Sequence, residues 1–401
     1  MNVPVLRDIF HIKEFPGDAK LMILSSIIMS LSQGYMFVDY PIYLAQMGYD
    51  SYTIGILLSV PTFVGALLMI PIGSLSDRYG RKKFILISRL FLLFSFLILF
   101  FTYDFYLLIL SGVLQGIAFS NASSSFSALL AEKTDSKNRN VIFASNSFLS
   151  GTFMGIGMIV GSIPPYLRTL MNISIFDAYR ILFAISILLI FISAFIIYLV
   201  KEEYKGSETY KIFPKKSKGV VIKLSVLGLI GLGAGVIVRL FSYWFYLKFH
   251  VDVNVLGPIF AISQFVTAFA SMTTPEIASR LGEIKTIVLT ESLSVIILIT
   301  MPLLPNYYLA GVFLVVRNFL MNMSGPIMTS FTMSLIPPEE RALGSAIIQF
   351  FDAVPRSFGP YIGGYFFSLG YIDLPFYFTG TLYTISIILF YTLFKNAKKV
   401  Y

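Results

Sequence analysis

About twelve stretches of this chain, among them 84–103, 181–200 and 376–394, run for roughly 20 residues each with almost no charge. A helix needs about 20 predominantly apolar residues to cross the hydrocarbon core of a bilayer, and these stretches fit that length. Charged residues make up only 13% of the 401, about half the share a soluble domain carries. So little polar surface cannot cover a globule in water. The expected fold is an all-α membrane protein with twelve spans, near 20–47, 52–74, 84–103, 106–131, 141–164, 178–200, 221–247, 255–277, 286–303, 307–336, 343–369 and 374–394.

The formal net charge of +9 invites a nucleic-acid reading, which the placement of the charge excludes. With cations at a span's end assigned to the adjoining face, 23 of the 30 Lys and Arg fall on the side of the N-terminus, three (Arg168, Arg180, Lys248) on the opposite side and four inside spans. That skew is the positive-inside pattern. It predicts a multi-pass plasma-membrane protein with both termini in the cytoplasm, lipid as its surroundings and no nucleic-acid partner. The polar, basic segment 201–219 predicts a cytoplasmic linker between a bundle over 1–200 and a second over 220–401, short enough to be ordered against anionic lipid.

Several chemistries are closed to this chain. It has no cysteine, hence no disulfide framework and no thiolate site. Its two histidines, His11 and His250, are far apart and sit in no metal-binding spacing. An enzyme, a metal site and a cofactor are not expected. The N-terminal residues lack the pattern of a cleaved signal peptide, so the first span is expected to insert as its own signal.

The chain also repeats itself. Shifted by 202 residues, GSLSDRYGRKKFILISR from Gly73 aligns with PEIASRLGEIKTIVLTE from Pro275. Arg78 meets Arg280, Gly80 meets Gly282 and Lys83 meets Lys285; the same offset pairs Arg139 with Arg341, and Gly157 and Gly161 with Gly359 and Gly363. Three stretches sharing one gap-free offset mark a tandem duplication of a six-helix unit. Parallel repeats of this kind are a transporter architecture, with the substrate held near the midplane between halves.

The first copy of the motif runs Gly73-Ser-Leu-Ser-Asp77-Arg78-Tyr-Gly80-Arg81-Lys82-Lys83, in the loop between spans 2 and 3. It resembles the loop signature of the major facilitator superfamily, and with the helix count and the duplication the resemblance covers essentially the whole chain. On physical grounds Gly73 permits close helix approach and Gly80 a tight reversal. The resemblance implies a gate: Asp77 packs near the start of helix 11, where a helix N-terminus favours negative charge, and Arg81 pairs with an acid at the end of helix 4, here Glu132. Gly73, Asp77, Arg78, Gly80, Arg81 and Glu132 would then latch the cytoplasmic side in the outward-open state. The plainer reading is a topological signal with one incidental acid.

Two other family patterns match less well. The Arg that often precedes Gln-Gly in helix 4, linked to proton coupling, is Gly112 here. The glycine spacing of an exporter's helix 5 is kept at Gly151, Gly155, Gly157 and Gly161, but the proline moves to Pro164 and Pro165. Such glycines also serve plain helix packing.

Ionisable groups inside spans are functional candidates by default, and the family resemblance implies that helices 1, 4, 7 and 10 line the cavity. Asp39 in helix 1 and Arg239 in helix 7 lie two positions apart under the offset. They are expected to pair or to share a polar substrate, a structural ion pair being the alternative. Arg317, Asn318 and Asn322 in helix 10 and Gln115 and Asn121 in helix 4 predict a polar cavity wall, or else interhelical glue. Trp244 reads as an interface aromatic or as a stacking wall for substrate. Asp352 and Arg356, four residues apart in helix 11 with Gly359 and Gly363 on the same face, are expected to meet helix 2 and form part of a gate. Asp39 and Asp352 are the proton-coupling candidates.

The expected function is a monomeric alternating-access transporter of a small organic solute, proton-coupled, with a slight preference for export. Uptake of a sugar or organic anion is the alternative, and a non-transporting receptor the rival from another class.

Overall fold

The computed structural model describes residues 15–135, 138–202, 218–337 and 341–395; among these every regular element is helical. The first half contains α1 (Gly17–Gln46), α2 (Ser51–Tyr79), α3 (Arg81–Phe101), α4 (Phe105–Glu132), α5 (Arg139–Val160), the short α6 (Pro164–Met171) and α7 (Ile175–Leu199). The second contains α8 (Lys218–Leu224), α9 (Leu227–Val238), α10 (Phe241–Phe249), α11 (Val253–Leu281), α12 (Glu283–Thr300), α13 (Tyr307–Ser334), α14 (Arg341–Ser368) and α15 (Leu374–Phe394). Together α8–α10 form one interrupted span. Nine helical stretches among the described residues are long and apolar enough to cross a membrane, and α11, α13 and α14 have the length, at 29, 28 and 28 residues. The result is twelve spans in two six-helix bundles. Most of the expected linker 201–219 lies outside the described residues.

Helix starts differ by face. On the face opposite the chain ends, called distal here, side chains cap the helices. Asp50 accepts from Tyr52 N at the start of α2, Asp104 from Tyr106 N and Leu107 N at α4, Ser174 from Asp177 N at α7 and Asn306 from Leu309 N at α13, each meeting a free N–H of a first turn. On the terminal face, the two motif copies reverse the chain through single glycines, Gly80 at φ 105° and Gly282 at φ 84°. Only glycine takes that conformation without strain. One residue therefore suffices for the turn, and Gly73, Asp77 and Arg78 belong to the last turns of α2 rather than to a loop. Pro164 and Pro165 likewise sit outside α5, opening α6, where the first helical positions need no N–H.

The duplication is visible as geometry. Gly157 and Gly161 of α5 press on α1, at Leu31 and at Tyr35 with Asp39. Their mates Gly359 and Gly363 of α14 press on α9, at Gly235 and Val236. The seams between halves repeat too. A Cβ on Gly55 of α2 would stand 2.5 Å from the Pro360 carbonyl of α14 and 3.1 Å from Gly364. Gly257 of α11, its mate at the 202 offset, has the same relation to the Met158 carbonyl and Ser162 of α5. Met158 and Ser162 are the mates of Pro360 and Gly364.

These seams lie on the distal side. There a single apolar core runs through both halves, from Tyr43, Leu57 and Phe183 to Tyr243, Phe260 and Phe367. Toward the terminal face it divides: one core, around Met22, Ile85 and Ile142, belongs to the first half, and another, around Ile287, Phe331 and Phe390, to the second. Leu67, Ile70 and Leu75 of α2 and Phe351 of α14 are exposed below the seam. The molecule is closed distally and parted toward the terminal face.

Gly257→Leu should hold the distal seam open, because the added side chain meets the Met158 carbonyl as well as Ser162 Oγ, and the backbone cannot swing aside. The chain lacks cysteine, so cysteines placed at Tyr52 and Tyr361, whose hydroxyls are 3.3 Å apart, can be bridged by a short bifunctional maleimide. Bridging should slow by about tenfold or more, the factor for a seam disfavoured by about 1.4 kcal/mol; an unchanged rate would show that the seam tolerates bulk.

Candidate functional site

The seventh span breaks in mid-membrane. α9 ends at Val238, Arg239 and Leu240 form a turn, and α10 begins at Phe241. The glycines of α9 let α14 approach closely enough to hold the broken piece. A Cβ on Gly228 would stand 2.5 Å from the Phe351 carbonyl, and one on Gly235 would overlap the Arg356 carbonyl. Pro355 and Pro360 lie four residues after Phe351 and Arg356, so each removes the helical donor of one of these carbonyls.

Arg239, at the break, is exposed. Its guanidinium lies 5.5 Å from the centroid of the Phe37 ring of α1, and no carboxylate pairs with it among the described residues. Arg356 is within electrostatic reach but is engaged by Asp352, Nε to Oδ2 at 3.0 Å and Nη2 to Oδ1 at 2.9 Å. Above Arg239 the distal side is sealed by Phe37 against Phe260, by the Ser51 and Tyr243 hydroxyls 2.8 Å apart, and by Gln46 Nε2 donating to Asp252.

Asp39 does not meet Arg239. Residues 37 and 39 lie about 200° apart around a helix, so when Phe37 faces Arg239, Asp39 faces its own half. It is 2% exposed, and neither carboxylate oxygen has a hydrogen-bond partner. Space for it exists because α5 carries glycine opposite: a Cβ on Gly161 would stand 2.6 Å from Oδ1 and 2.9 Å from Oδ2. Tyr35 and Tyr179 line the same pocket, and Asp252 is the other charge that acts on it.

The remaining expected positions separate. Gln115 turns into its own half and donates to Ser95 Oγ at 3.0 Å and Ser111 Oγ at 3.3 Å. Asn121 is buried and donates to Ile117 O. Arg317, 3% exposed, also points inward: Nη1 donates to Asn318 Oδ1, Nη2 to Tyr383 Oη, and the guanidinium lies over the Phe241 and Tyr383 rings. Asn318 continues the network to Ser263 of α11. For these residues the structure favours interhelical bonding over a cavity wall. Asn322, one turn further, is exposed. Trp244 is neither interface aromatic nor cavity wall. It is fully buried, with Nε1 donating to Asp373 Oδ1 at 3.0 Å, beside the Lys248–Asp373 ion pair at 2.7 Å. That ion pair fixes the indole as a core anchor.

At the terminal face Arg81 bridges Asp77 (Nε to Oδ1, 3.0 Å) and Glu132 (Nη1 to Oε2, 3.3 Å). The three expected residues thus come together within one half, and Asp77 stays half exposed. Gly73 is half-buried in α2, and Arg78 is exposed and lies over Tyr79. Asp352, Arg356, Gly359 and Gly363 face α9 of their own half; the contact with α2 uses the adjacent stripe of Pro360, Tyr361 and Gly364.

Two residues escaped the sequence reading. Glu202 accepts from Arg81 N at 2.7 Å and Lys82 N at 3.2 Å, capping α3 where Gly80 has no side chain to do so. Its place at the end of a span gave no sign of this. Glu291 is 4% exposed inside α12, against Ser324 and near Tyr383. The 202 offset could have found it, since its mate is the buried Arg89.

Comparison with known proteins follows this geometry. The family model described as Major Facilitator Superfamily matches residues 22–360. Among curated proteins, the tetracycline resistance protein of class H from Pasteurella multocida is 32% identical over 107 residues, 27% of this chain and 26% of that protein's length. Among solved structures, the nucleoside transporter NupG superposes with a TM-score of 0.74 at 11% identity, covering 94% of this chain and all of the other. A bacterial homologue of the lysosomal transporter Spinster, in an inward-facing and unoccupied conformation, gives 0.72 at 12%, covering 94% and 97%. At these identities the structural likenesses establish the fold.

Tyr383→Phe removes the hydroxyl that accepts from Arg317 Nη2 and should cost about 1–3 kcal/mol, the penalty for leaving a buried donor unpaired. Thermal unfolding of the purified protein should show a midpoint several degrees lower. An unchanged midpoint would mean that Arg317 finds another acceptor.

Proposed function

The chain belongs to the major facilitator superfamily, and from that premise we propose that it is a proton-coupled, alternating-access transporter of a small organic solute. The observation that carries the reading is the pairing of a closed distal seam with parted cores toward the terminal face. A solute can reach the mid-membrane break at Arg239 from one side only, which alternating access requires. An exposed guanidinium at that depth faces water within the protein rather than lipid.

The skew of Lys and Arg makes the terminal face cytoplasmic, so this state is inward-open, in a plasma membrane, with the chain acting as a monomer. Asp77, Arg81 and Glu132 then form an unlatched cytoplasmic gate, ready to receive α14 when the halves close on that side. Arg239 and Asn322 belong to the solute pathway, and Gln115, Asn121, Arg317, Asn318 and Trp244 hold its walls in place. The bundles divide at the connection 201–219.

Coupling is assigned to Asp39. A carboxylate without a partner in the membrane interior is costly as an anion and tolerable once protonated. Asp352 is the poorer carrier, because both its oxygens are already engaged by Arg356. Export is favoured over uptake on the glycine-spaced α5 and on the match to a tetracycline resistance protein over part of the chain. Uptake remains the second reading.

Asp39→Asn should keep solute exchange between equal concentrations but lose acceleration by a pH gradient, measured in liposomes containing the purified full chain. If gradient-driven uptake persists at the wild-type rate, the coupling assignment to Asp39 is wrong.

A further inference from the structure

We propose that the solute is a small organic monocarboxylate with an apolar body, and that Arg239 is its recognition residue. This rests on the transporter reading and specifies the occupant of that pathway.

The charges around the break lead to this class. Arg239 carries one positive charge at mid-depth, and among the described residues no acid pairs with it. Each nearby carboxylate is otherwise committed: Asp352 holds Arg356 through two hydrogen bonds, Asp39 is turned into the first half behind Tyr35 and Gly161, and Asp252 accepts from Gln46 at the distal seal. Glu291 lies inside the second half, 4% exposed. An unbalanced cation in the membrane interior is costly unless a counter-charge enters, and one cation calls for one negative charge.

The geometry of the cation selects the group. A guanidinium offers parallel N–H donors that a carboxylate accepts in pairs. The walls select the rest of the molecule. Phe37 lies under the guanidinium, and Phe63 of α2 meets Phe358 of α14 across the halves, ring centroids 5.4 Å apart. Counted from the distal helix ends, Phe37, Arg239, Phe358 and Phe63 all lie about 14–18 Å deep at 1.5 Å per residue. A carboxylate on Arg239 therefore sets its organic part beside Phe37, at the depth where the halves meet through Phe63 and Phe358.

The test measures thermal unfolding midpoints of the purified full chain against increasing benzoate, 3-phenylpropionate and octanoate, with benzamide and benzylammonium as neutral and cationic counterparts. Saturable stabilisation by the carboxylates, and little by the other two, is expected. Arg239→Gln should weaken carboxylate binding by about tenfold or more, as loss of a charge-assisted hydrogen-bond pair does, while Arg239→Lys retains part of it. Equal stabilisation by benzamide or benzylammonium, no stabilisation by any carboxylate, or unchanged affinity in a folded Arg239→Gln protein overturns the proposal. The wild-type comparison of benzoate with benzamide decides the matter even if the variant does not fold. Carboxylate binding without flux into liposomes would remove the transport reading and leave the anion site; flux of a neutral or cationic solute alone would do the reverse.

Discussion

Two glycine-to-carbonyl contacts hold the halves together: Gly55 on Pro360, and Gly257 on Met158. They are the same contact made twice, since each partner is displaced from its mate by 202 residues. Small residues let helix backbones approach closely, which is how helices associate where lipid removes the hydrophobic drive between them. The rest of the arrangement follows from where these contacts fall. They lie near the distal ends of α2, α5, α11 and α14, so the apolar core is continuous there and divided toward the terminal face. The break at Arg239 sits just below the sealed layer, at the end of the opening.

The interior charges follow a second logic. Each half turns most of its ionisable groups inward and gives them partners: Arg89 donates to Ser193, Arg317 to Asn318 and Tyr383, and Asp352 holds Arg356. Two groups escape this rule. Among the described residues, the buried Asp39 has no hydrogen-bond partner and the exposed Arg239 no paired carboxylate. They stand on opposite faces of α1, so they cannot neutralise each other without a rotation of that helix. α1 joins the two places, touching Gly157 and Gly161 on one side and Arg239, through Phe37, on the other.

Much of this was legible in the residues. Twelve charge-poor stretches gave the spans, and the offset gave the two halves and, through Gly157, Gly161, Gly359 and Gly363, the packing of α5 on α1 and of α14 on α9. The Arg81–Glu132 contact came from the motif. What failed were statements about rotation around a helix axis. Asp39 and Arg239 are close in the repeat map, but Asp39 lies about 200° around α1 from Phe37, the residue that meets Arg239, and Arg317 shares its helix with exposed Asn322 yet faces Tyr383. An almost wholly apolar helix gives no polar stripe from which to read which side is inward. The break in the seventh span was also hidden, because no proline marks it; the prolines that stabilise it are in α14, over a hundred residues away.

The seam itself bears on how such a molecule changes state. Its polar part among the described residues includes the Ser51–Tyr243 and Tyr52–Tyr361 hydroxyl contacts, Gln46 on Asp252, and Tyr361 N on Ser59 Oγ. Each is at the distal end, where water can replace it as the halves part, and a hydrogen bond exchanged for one to water costs only about 0.5–1.5 kcal/mol. The glycine contacts themselves ask no large side chain to withdraw, whereas the aromatic pairs Phe37–Phe260 and Phe63–Phe358 must separate for the distal side to open. A ligand can shift such an equilibrium only by as much as its affinities for the two states differ.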